Sequence, residues 1–109
     1  MVDTLKVLGQ SNPVAATLTD AYTVPASTQA TVSTIYVANR SATATSFRIS
    51  IAVAGAADDN RQYVYYDVEI RGNDSMAATV GATLGAADVV RVYATLATLS
   101  FNIFGVEIT

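Results

Sequence analysis

This chain of 109 residues has no cysteine and no histidine. Without cysteine there are no disulfides and no thiolate metal sites, and the redox state of the compartment leaves no mark. Without histidine the chain lacks the commonest general base and the commonest transition-metal ligand. Charge is scarce as well, at 14% of residues against 51% hydrophobic. That balance excludes a disordered chain and is low for a surface that meets only water. The six Lys and Arg residues are scattered and the net charge is −3, so a nucleic-acid partner is not expected. No apolar run approaches the roughly 18 residues that a membrane helix needs. MVDTLKVLGQ lacks the basic region and long apolar run of a signal peptide. The expectation is a chain without membrane partners, made and kept in an aqueous, cytoplasm-like compartment.

What is present is alternation. In SFRISIAVA, Phe47, Ile49, Ile51 and Val53 point one way and Ser46, Arg48, Ser50 and Ala52 the other, the signature of a strand with one face in a core. Further strands are read at Leu5–Leu8, Leu18–Val24, Ala30–Asn39, Arg61–Ile70, Ser75–Val80, Val89–Ala94 and Leu99–Ile108. Alternation slips between Val32 and Ile35, which suggests a bulge near Ser33 and Thr34. Asn39–Thr45 and the TLAT segment (95–98) read as hairpin loops, Arg71–Asp74 as a tight turn, and Gly81–Asp88 as a connection with Leu84 tucked inward. No stretch keeps helical periodicity. About eight short strands with turn signals every 8–12 residues or so predict an all-β, single-domain antiparallel sandwich, jelly-roll or immunoglobulin-like. Residues 1–12 form an N-terminal arm or edge strand and residues 13–109 the sandwich domain.

Chemistry-bearing residues are few. Asp58, Asp59 and Asn60 share one loop but lack the spacing of a calcium loop, and read as a polar turn. Asp67 and Glu69 lie two apart on one strand face, where pairing with Arg48, Arg71 or Arg91 outweighs acid–base work. No serine sits in a nucleophile motif, and no glycine run forms a phosphate loop. The expectation is a non-enzyme with no cofactor, no metal site and no catalytic residue.

Two strands are apolar or aromatic on both faces. In Arg61–Ile70, Val64, Tyr66, Val68 and Ile70 are expected inward, and Tyr63, Tyr65, Asp67 and Glu69 outward. In the last strand, Leu99, Phe101 and Ile103 fill one face while Phe104, Val106 and Ile108 fill the other. In a two-layer sandwich the outer face has nothing of its own chain on it, so another subunit is the simplest cover. Tyr63, Tyr65, Tyr93, Phe104, Val106 and Ile108, with Leu5 and Val7 of the arm, are therefore interface candidates. The aromatic cluster Tyr63, Tyr65, Tyr66 and Tyr93 also suits a sugar-binding platform.

The segments YTVPA, VANRS, YVYYD and DVVRVYA followed by LSFNIFG lie within a stretch, from about Leu8 to Ile108, that resembles small structural proteins of tailed bacteriophages and prophages. The resemblance implies a β-sandwich virion component located on the capsid surface and assembled in the host cytoplasm. It implies a capsid decoration (cement) protein partnered by the major capsid protein and by copies of itself. A tail, baseplate or fibre-associated part and a glycan-binding module are the alternatives. The pieces that carry it are strands and turns, so architecture transfers from it more directly than role.

Overall fold

The computed structural model describes all 109 residues. Runs of alternating β-branched and aromatic residues build eight strands: β1 (Asp3–Ser11), β2 (Thr19–Thr23), β3 (Gln29–Asn39), β4 (Thr45–Ala52), β5 (Tyr63–Ile70), β6 (Ser75–Leu84), β7 (Val89–Ala94) and β8 (Leu99–Ile108). Two single 3₁₀ turns, Val53–Gly55 and Asn60–Gln62, lie between β4 and β5. The strands form two four-stranded sheets, ordered β1-β8-β3-β6 and β2-β7-β4-β5, with every pairing antiparallel. This interleaved order is that of a jelly roll, which decides between the two topologies the alternation leaves open. β1 is an edge strand on β8 rather than a free arm.

Only β4 and β5 follow one another within a sheet. The Asn39–Thr45 loop and the TLAT segment therefore cross from one sheet to the other and close no hairpin. The alternation reveals each strand but not the sheet it joins. β6 also runs further than its sequence suggests, through Gly81 at φ +60° to Leu84. Glycine takes that left-handed conformation freely, and it sits where the β3–β6 register shifts. Leu84 is buried, as expected.

The core lies where the two inner faces meet. Val32, Ile35, Val37, Leu99, Phe101 and Ile103 from the first sheet meet Phe47, Ile49, Val90 and Val92 from the second, all buried. The Phe47 and Phe101 rings touch edge to face, 6.0 Å between centroids, across the layers. β8 alternates without a break, whereas both of its neighbours carry one extra residue, Leu8 in β1 and Ser33 in β3. The slip at Ser33 is the bulge expected from the sequence. Between these two bulges lies Gly105, where a Cβ atom would collide with the Thr31 carbonyl and press on Leu8.

β5 corrects the sequence reading. Its register against β4 shifts twice, so that Ser50 faces Tyr63, Ile49 faces Tyr65 and Phe47 faces Val68. Val64 is one extra residue, and the pair Tyr66–Asp67 opposite Arg48 contains another. Asp67 takes φ +51°, a left-handed conformation that aspartate tolerates better than most residues. The side-chain alternation is thereby reset. Tyr65 turns inward, 6.3 Å from the Phe47 ring and packed on the core, so it is not an outward interface residue. Tyr66, expected in the core, is 55% exposed, and Val64 is 48% exposed. Val53 is likewise exposed, because β4 ends at Ala52 and the chain enters a 3₁₀ turn.

At one end of the sandwich a polar link joins the layers. The Tyr22 hydroxyl of β2 donates to Glu107 Oε2 of β8 at 2.7 Å, and Lys6 of β1 lies 3.3 Å from Glu107 Oε1. Burial first, and the Glu107 carboxylate second, hold the Tyr22 hydroxyl well above its ordinary range, so it stays protonated. The Tyr22 hydrogen bond, helped by Lys6, holds the Glu107 carboxyl below its ordinary 4.5.

Two expectations follow from these contacts. Tyr65→Ala opens a hole beside Phe47 and should cost about 2–3 kcal/mol, less than the ~3–5 of a fully buried ring. Tyr66→Ala should cost about 0.5–1 kcal/mol, the worth of an exposed cation–π contact. Thermal melts of the two variants check the order, and a larger loss in Tyr66→Ala would reverse the facing assigned to β5. Because the Glu107 pKa is depressed on folding, its stabilisation is complete above the ordinary 4.5 and is lost as pH falls through the lower folded value. Urea titrations from pH 6 to pH 3 should therefore show wild type losing more stability than Glu107→Gln.

Candidate functional site

Apart from Tyr65, the expected interface residues fall on two opposite outer faces. On the first sheet, Leu5 pairs with Val106 and Val7 with Phe104, and Ile108 stands opposite Asp3. All five of the expected apolar side chains are thus neighbours in one patch. Leu5 is 78% exposed, Val7 44% exposed, and Phe104, Val106 and Ile108 are half-buried. The bulge at Ser33 turns Tyr36 onto the same face, where its ring meets Phe104 edge to face at 5.5 Å. Tyr36 was not singled out from the sequence, although alternation counted forward from Ile35 places it outward. Around the patch stand Gln29, Thr31, Thr34, Gln10 and Asn102, the last two joined by a 2.7 Å side-chain hydrogen bond. A shallow depression between Leu5, Val7, Ser33, Phe104 and Val106 marks its centre. No segment of the chain crosses this face.

The outer face of the second sheet is different, and here the expectation of a bare sheet fails. The connection from Val53 to Gln62 folds back over it. Arg91 of β7 holds that connection by donating to the carbonyls of Ala56 (2.8 Å) and Gly55 (3.2 Å), while its Nε pairs with Asp20 at 3.0 Å. Asp88 accepts from the Ala54 amide. Beneath this roof Ser50, Ala52 and Val89 are buried although Ser50 and Ala52 point away from the core. Within the roof, Asp59 caps the second 3₁₀ turn through the Arg61 amide and Asp58 accepts from the Tyr63 hydroxyl at 2.8 Å. The Asp58–Asn60 loop is thus a structured turn, and no cluster of three potential metal ligands exists.

Beside the roof lies an aromatic cluster built on Arg48. Its guanidinium sits 4.2 Å from the centre of the Tyr66 ring and 4.5 Å from that of Tyr93. Asp67 fixes it with two contacts, 2.6 Å to Nε and 3.3 Å to Nη2. The Tyr63 ring meets Tyr66 edge to face at 5.1 Å. Arg48 is the partner of Asp67, as the strand pattern allowed, while Arg91 pairs with Asp20 and Arg71 with Asp74. Of the expected tyrosines, Tyr63, Tyr66 and Tyr93 gather here and Tyr65 does not. No family model, curated protein or solved structure matches the chain.

Partial burial first, and the hydrogen bond to Asp58 second, raise the Tyr63 hydroxyl above its ordinary 10.0. Asp58→Asn removes the charged acceptor. It should bring the Tyr63 titration back down towards that value, followed through the ¹³Cζ resonance of Tyr63.

Proposed function

We propose that this chain is a non-enzymatic structural protein of a tailed-bacteriophage virion, a capsid decoration protein that docks on the assembled shell and associates with its own copies. The observation that carries this reading is the roofless outer face of the β1-β8-β3-β6 sheet. Leu5, Val7, Tyr36, Phe104, Val106 and Ile108 form a contiguous apolar patch there, rimmed by Gln10, Gln29, Thr31, Thr34 and Asn102, with Asp3 beside Ile108 at one end. Exposed patches of this kind mark protein contacts. The molecule measures 45 by 27 Å in its two longer directions, so one broad face can supply the ~800 Å² per partner that a stable contact buries. A non-catalytic role is supported by the missing histidine and the absence of a nucleophile motif. The virion context is supported by the resemblance carried by YTVPA, VANRS, YVYYD and LSFNIFG.

The mechanism is linkage. A protein that binds the assembled lattice and not its free subunits shifts the equilibrium towards the lattice by its differential affinity. That task needs a rigid body and a matched surface, and a jelly roll with one free sheet face supplies both.

The test is co-sedimentation with purified capsids. Wild type should pellet with heads, and the double variant Leu5→Glu with Val106→Glu should bind at least tenfold more weakly while melting within a few degrees of wild type. Pelleting of the double variant at the wild-type level would remove this face from the contact. Recovery with tails and not with heads would move the role to the tail.

A further inference from the structure

The aromatic cluster on the second sheet bounds a cleft of about 430 Å³ between Tyr63, Tyr66 and Asn60. Its walls are set by the protein alone. The Tyr63 hydroxyl is tied to Asp58, the Tyr63 and Tyr66 rings brace each other edge to face, and the Arg48 guanidinium backs the Tyr66 ring. Asp67, in its left-handed conformation, locks that guanidinium in place. Tyr66 and Asn60 line this cleft, and neither the Tyr66 hydroxyl nor the Asn60 side-chain amide hydrogen-bonds to another protein group.

The nearby cations are each paired, Arg48 with Asp67 and Arg61 with Asp59, and Asp58 adds a carboxylate without a cationic partner beside Tyr63. An anionic ligand such as a phosphate or nucleic acid gains little here. A protein partner would need a broad face, whereas this cleft is lined by three side chains. What remains is a small concave site with aromatic walls and free neutral hydrogen-bonding groups.

We propose that this cleft binds neutral carbohydrate. A pyranose ring would lay its C–H face against a tyrosine ring, and its hydroxyls would bond to the Asn60 amide and the Tyr66 hydroxyl. The cleft lies on the opposite side of the sandwich from the apolar patch, so the site does not rest on the assembly reading. The Leu5/Val106 double variant keeps the cleft, which separates failure of one reading from failure of the other.

The experiment is native gel electrophoresis of the full chain through gels containing glycogen, hydroxyethylcellulose or galactomannan. At least one polysaccharide should retard the wild-type protein relative to a non-binding reference. Tyr66→Ala should migrate as though no polysaccharide were present. Tyr36→Ala, which removes an exposed tyrosine of the opposite face, should be retarded like wild type, and circular-dichroism melts should show both variants folded. Unretarded wild type in all three gels overturns the proposal, as does a Tyr66→Ala variant slowed like wild type. Unretarded wild type combined with weaker capsid pelleting by Tyr66→Ala would assign the cluster to a protein contact instead.

Discussion

Two sheets packed face to face hide one face each and leave two to be dealt with. That constraint shapes the whole surface of this molecule. The second sheet is partly covered by its own chain. Arg91 reaches up to the carbonyls of Gly55 and Ala56, and under that clamp Ser50 and Ala52 are as dry as core residues although they point outward. The first sheet has no comparable cover, and its central strand presents Phe104, Val106 and Ile108 to the outside. The asymmetry between a roofed face and an open one gives the molecule a direction.

Much of this was legible in the residues, and the reason differs from strand to strand. β4 and β8 alternate without interruption, so Phe47, Ile49, Phe101 and Ile103 are placed correctly by period two alone. The Ser33 bulge was legible because a β-branched run breaks its period there. β5 was not legible. Val64, Tyr66, Val68 and Ile70 form as good a period-two series as any in the chain. Only the pairing with β4, where two extra residues reset the parity, decides that Tyr65 goes in and Tyr66 goes out. Alternation is a local property and register is not.

The roof was hidden for a related reason. GAADDN reads as a polar turn, and composition carries no sign that Arg91, some thirty-five positions further on, holds it down. The aromatic cluster was half legible. Tyr63 and Tyr93 were expected outward and are, yet the residue that organises them, Arg48, looked only like an ion-pair partner. Its position between two rings depends on the bulge at Asp67.

The order β1-β8-β3-β6 places the final strand of the sandwich in the middle of its sheet, between two strands that precede it by some sixty to a hundred positions. Until β8 arrives, β1 has no ladder to join, β3 has only β6, and the core lacks Leu99, Phe101 and Ile103. Nearly all of the pairings close long loops, a topology that folds in milliseconds to seconds rather than microseconds. The first sheet and the core are therefore completed together, by the insertion of the ten-residue β8, whereas the second sheet has all four of its strands before β8 is reached.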